Sequence, residues 1–118
     1  MDNLNAYFEM DDRDLLLSIG NALDEDSRAA FPAPVGQLLL NAKNYIHSKL
    51  GEYQIRVCGN DTVKELATGG FTTELVAAVI GLIESVTIGA AISPVAILLC
   101  KRGVLKICDN TWNLDDSK

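Results

Sequence analysis

The sequence predicts an all-α fold: a small single-domain helical bundle of four or five helices around a central apolar helical hairpin at about 73–110. Three observations lead there. Apolar residues recur at helical spacing through most of the chain, the pattern of amphipathic helices. Proline and glycine cluster at "FPAPVG" (31–36) and "GG" (69–70), which cuts the chain into helix-length pieces. The 118 residues, 48% apolar and 22% charged, suit one domain with a real core. Aromatics make up only 6%, so that core must be mostly aliphatic.

The first helix is predicted over 12–23, "DRDLLLSIGNAL", on the spacing of Leu15, Leu16, Ile19 and Leu23. Asp11, Asp12 and Asp14 stand at its start, where the helix dipole favours anions. Pro32 and Pro34 lack the backbone N–H a helix interior needs, so they break the chain, and Pro34 opens a second helix over 34–50. Val35, Leu38, Leu39, Ala42, Tyr45, Ile46 and Leu50 form its apolar stripe, with Gly51 as a C-cap. The segment 52–58, "EYQIRVC", alternates like a strand, but a lone strand has no partner here, so an extended segment or a continuing helix is expected. Asp61 can cap a short helix over "TVKELAT".

Thr72 or Thr73 caps the next helix, 73–86, whose Ala77, Gly81 and Ser85 fall four residues apart and form a close-packing seam. Leu75, Val76, Val79, Ile80, Leu82, Ile83 and Val86 crowd its other side. After Gly89 the chain restarts at Ser93-Pro94, the signature of a helix N-terminus, and a last helix is expected over about 94–110. It carries Ile97, Cys100, Val104 and Ile107 on one side and a wet stripe of Lys101, Arg102 and Lys106 on the other. Trp112 follows, and 113–118 reads as a frayed tail.

The stretch 74–102 is apolar enough to raise the question of a membrane. A span needs about 20 consecutive apolar residues. The longest run free of charged side chains, Ser85 to Cys100, has sixteen, and Gly89 and Pro94 interrupt it. A helical hairpin fits better, either as the sequestered centre of the domain or as an interface.

Charge and chemistry narrow the function. The net charge is −6, and residues 1–30 hold all of it, with eight acids against Arg13 and Arg28. That acidic region reads as a solvated face. An acidic chain repels phosphate backbones and anionic bilayers, so neither nucleic acid nor a charged membrane surface is expected as partner. The N-terminus lacks an apolar signal region, and three cysteines, an odd number, suit a reducing compartment; a cytoplasmic location with reduced, buried thiols is therefore expected.

No metal is expected, because the chain has one histidine, His47, and no C-x-x-C. Cys100 and Cys108, eight residues apart on one helix, stand about 12 Å apart along its axis, too far to bond. Cys58 is free to approach either. "GGFTTE" lacks the lysine and spacing of a phosphate loop, and "DEDSRAAFPAPV" lacks the glycine and glutamate of a calcium loop. No catalytic constellation and no cofactor is indicated.

The expectation is a non-enzymatic, cytoplasmic interaction or assembly module. It would associate with itself or another protein through Val76, Val79, Ile80 and Ile83 together with Ile88 and Ile92 at the hairpin tip. The alternative is a membrane-active hairpin, soluble until triggered.

Overall fold

The computed structural model describes residues 4–27 and 33–114. Among these residues it is all-helical, with α1 (Leu4–Phe8), α2 (Asp12–Ser27), α3 (Val35–Cys58), α4 (Asp61–Ala67), α5 (Thr73–Ile83), α6 (Ile92–Lys101) and three short 3-10 turns. The all-α expectation holds; the helix beyond the expected five is the short α1.

The first helix forms where its pattern places it. Asp11 caps α2, its Oδ1 accepting from Asp14 N at 2.8 Å. Leu15, Leu16, Ile19 and Ala22 are buried along one side. A close helix contact is made here. A Cβ built on Gly20 would lie 2.4 Å from the Leu38 carbonyl oxygen, so only glycine lets α2 lie this close to α3. Close packing thus falls on α2, not on the Ala77, Gly81, Ser85 seam.

The helix α3 runs straight through Gly51, which is no C-cap, and takes in "EYQIRVC". Tyr53 and Val57 continue the buried stripe of Leu38, Ala42 and Ile46 at helical spacing, and this burial decides the conformation. Ile55, which alternation would have placed beside them, is 79% exposed. The chain then turns, and Asn60 rather than Asp61 caps α4 by accepting from Val63 N at 3.0 Å. Thr72 caps α5 as expected, accepting from Leu75 N at 3.1 Å.

The hairpin of α5 and α6 forms, with boundaries that differ from expectation. The helix α6 begins at Ile92, so Ser93 is not its cap, and Pro94 sits buried in the first turn, where its missing N–H costs nothing. It ends at Lys101, well short of 110, because Gly103 adopts φ 93°, a left-handed turn that suits glycine. Every residue from Pro94 to Cys100 is buried. A helix apolar all round belongs inside a protein, and α6 is the central element.

Its ends are satisfied individually. The indole Nε1 of Trp112 donates to the Leu99 carbonyl at 3.2 Å, occupying an acceptor that the helix C-terminus leaves open. Leu114 is buried as well, so the chain stays docked through the first two residues of the tail expected to fray; 115–118 lie outside the described residues. Arg102 is not part of a wet stripe. It donates from Nε to Asp12 Oδ2 at 2.9 Å and from Nη1 to the Asn113 carbonyl at 2.9 Å, tying α2 to the C-terminal segment.

The turn between α5 and α6 is held by two tyrosines of α3. Tyr45 Oη accepts from Ile88 N at 3.0 Å, and Tyr53 Oη is hydrogen-bonded to Thr87 Oγ1 at 3.0 Å in the buried interior.

The cysteines overturn the expectation of three reduced thiols. Cys58, at the end of α3, is bonded to Cys108, which follows the turn Val104–Ile107; their Cα atoms are 5.7 Å apart. Helical spacing ruled out Cys100 with Cys108 along one helix, but it was silent on Cys58, whose position depends on α3 continuing to that residue. Cys100 stays a free, buried thiol.

Candidate functional site

The apolar side of α5 expected to meet a partner is mostly internal. Val76, Val79 and Ile83 are fully buried in the chain's own core, together with Leu75. They are removed as surface contacts, because α6 already covers that side. Ile80, Ile88 and Ile92 are half-buried and keep part of their surface in solvent. Ala77, Gly81 and Ser85 are exposed, and nothing lies within 4 Å of the position a Gly81 Cβ would take. The seam therefore faces outward, packed against no helix of this chain among the described residues.

The outward side of α5 has a simple composition. Between Glu74 and Glu84 its exposed residues are Ala77 and Gly81, with Ala78, Ile80 and Leu82 half-buried beside them. No long polar side chain covers this stretch, so its backbone is accessible to another helix.

A second feature was missed by periodicity. A cavity of about 250 Å3 opens where the α4–α5 connection meets the end of α6. Its walls include Phe71, Leu75, Cys100, Val104 and Leu105, and the exposed Lys101 and Lys106 also line it. Phe71 is propped by Phe8 of α1, the rings stacked 4.8 Å apart. The left-handed Gly103 brings its backbone under Lys106, whose side-chain carbons lie 3.3 Å from where a Cβ would be. Lys101 Nζ donates to the Met10 carbonyl and so is held in place. Residues 70–71 and 103–106 come together only through the fold; the available signal was the pair of glycines, each beside apolar residues.

The cavity's lining carries few reactive groups. Its one thiol, Cys100, is pushed up to about 12 by burial, which keeps it protonated and a poor nucleophile. No histidine or carboxylate lines the cavity. His47 is exposed on α3, in a separate recess beside Leu40, Lys43, Asn44 and Leu114. Among the described residues no three His, Cys, Asp or Glu side chains converge on a point that could hold a metal ion, and no helix is long and apolar enough to cross a membrane. The acids of α2 are not merely a solvated face, since Asp11 caps the helix and Asp12 pairs with Arg102 Nη2 at 2.8 Å.

Compared with known proteins, the chain matches no family model, no curated protein and no solved structure.

Proposed function

We propose that this protein is a non-enzymatic interaction module whose contact surface is the outward side of α5 and the turn after it. The observation that carries this reading is the bare stretch between Glu74 and Glu84, where Ala77 and Gly81 leave the backbone open and Ile80 supplies apolar surface. Small residues permit close helix approach, which makes a second helix the fitting occupant. Ile88, half-buried in the turn that follows, adds apolar surface at the tip.

The flanking charges select the partner. Pairing α5 in register along its length with a copy of itself sets Glu74 beside Glu74 or Glu84, so like charges meet at both ends of that contact. A partner helix with lysine or arginine at its flanks meets no such repulsion. The reading is therefore of a basic partner ahead of a second copy, and the self-association expected from the sequence is the outcome that light scattering tests.

Photo-crosslinking tests this in cells that make the protein. Benzoylphenylalanine at residue 81 should form a protein adduct that Ala77→Arg removes. The same probe at Gly36, equally open on α3, should form none. Adducts from both positions, or from neither, would refute the reading. A homodimer in light scattering that Gly81→Arg dissolves would make a second copy the partner instead.

On location, the disulfide pulls against a cytoplasmic setting. Bonds of this kind persist in oxidising compartments and are reduced in the cytosol. The Cys58–Cys108 pair favours an oxidising one. Thiol labelling of the protein at the moment of cell lysis reads the answer directly: two free thiols at these positions would restore the cytoplasmic expectation.

A further inference from the structure

The cavity at the end of α6 combines two properties. Its walls are apolar, supplied by Phe71, Leu75, Val104 and Leu105, and its charged lining is purely basic. Neither Lys101 nor Lys106 has a carboxylate partner among the described residues; Lys101 is bonded to a backbone carbonyl. In a chain of net charge −6, two ammonium groups left without acids beside an apolar hollow form a local positive field. Such a field next to apolar walls complements one chemistry: an apolar body ending in an anion.

Size narrows it further. An apolar cavity of about 150 Å3 accommodates benzene, six heavy atoms. By that scale the 250 Å3 here takes about ten. The walls are also held in shape: Phe71 stacks on Phe8, Gly103 fixes the turn under Lys106, and the Cys58–Cys108 bond anchors the end of the 104–107 wall to α3. A largely preformed hollow loses little entropy on filling.

We propose that this cavity is a binding site for a medium-chain alkanoate, the alkyl chain lying between Phe71 and Leu105 and the carboxylate meeting Lys101 and Lys106. The site is independent of the outward side of α5. The two lysines hold the carboxylate by charge-assisted hydrogen bonds, and a neutral head group of the same size forms none of equal strength.

Octanoate, below its micellar concentration, is the probe, followed by amide NMR on the oxidised full-length protein. Saturable shifts centred on Gly70, Phe71, Gly103 and Val104 are expected, with 1-octanol binding about tenfold or more weakly. Lys106→Glu, an exposed change that leaves the fold intact, should weaken octanoate by at least the same factor while leaving octanol unaffected. Three results would each overturn the proposal: no saturation, shifts centred instead on the recess of Lys43 and His47, or octanol binding as tightly as octanoate. Should Lys106→Glu alter the spectrum of the free protein, Lys106→Gln gives the same comparison with less perturbation.

Discussion

Removing the Cys58–Cys108 bond should cost this protein about 4 kcal/mol. The bond spans 50 residues of sequence, so in the unfolded chain it closes a loop containing α4, α5, α6 and the turn 104–107. In the chain-entropy treatment, closing a loop of that length removes about 14 cal/mol/K from the denatured ensemble, or about 4 kcal/mol at 25 °C. For a domain of this size each kcal/mol moves Tm by about 3–6 °C, so the double variant Cys58→Ser, Cys108→Ser should melt roughly 12–24 °C lower. The total stability of such domains is about 5–15 kcal/mol, so a loss of about 4 kcal/mol leaves the variant mostly folded at room temperature even from the lower end of that range, with only about 1 kcal/mol to spare there. The assay is thermal unfolding followed by circular dichroism and by Trp112, the single tryptophan, which is buried four residues after Cys108. Cys100→Ser is the control, since it removes the third thiol without touching the bond. A double variant within about 1 kcal/mol of the oxidised protein would refute the reasoning, for then the bond constrains nothing that the helices do not already constrain.

Three further predictions follow from the packing. Gly20→Ala should destabilise by about 1–3 kcal/mol, because its methyl group meets the Leu38 carbonyl at 2.4 Å, whereas Gly81→Ala, with open space around it, should stabilise by about 0.5–1 kcal/mol; urea titration of both separates them. Tyr53→Phe should cost about 1–2 kcal/mol by leaving Thr87 Oγ1 buried without its partner, and adding Thr87→Val should recover part of that loss, a coupling measured by a double-mutant cycle. Burial pushes the Tyr53 phenol up to about 12, against 10 when unfolded; the unfolded chain gives up this proton first, so stability should fall between pH 10 and 12 by about 2–3 kcal/mol, a fall that Tyr53→Phe abolishes in chemical denaturation at fixed temperature.

What the sequence made legible was whatever local spacing controls. The stripes of α2 and α3, the cap at Thr72 and the hairpin all follow from apolar periodicity and capping chemistry. The ambiguity at 52–58 yields only to tertiary packing, since Tyr53 and Val57 satisfy a strand and a helix equally until Ile55 is seen to face water. The early end of α6 was in principle visible at Gly103, but Val104 and Ile107 continue the helical spacing across it and mask the break. The disulfide was not legible at all, because nothing local sets the distance from Cys58 to Cys108. Likewise the acids near the start looked like a solvating cluster, while Asp12 and Arg102, ninety residues apart, form a single clasp.

The candidate site was less legible, for a related reason. Periodicity shows which residues share a side of a helix, and it does not show what covers that side. On α5 the bulky side was taken for the contact surface, yet Val76, Val79 and Ile83 are sealed against the core and the small residues face out. The same fact bears on the membrane-active alternative. If α5 and α6 left together for a bilayer, their own side chains would exchange one apolar setting for another. The cost would fall on what stayed behind: Leu15, Ile19, Ile46, Tyr53 and Val57 are fully buried, and each loses about 1.5–3 kcal/mol on exposure to water. For those five alone that is about 7–15 kcal/mol, as large as the whole stability of a typical domain, and the Cys58–Cys108 bond would still tether the departing hairpin to α3. The hairpin is the centre of the fold, and releasing it would therefore need a trigger that offsets this cost.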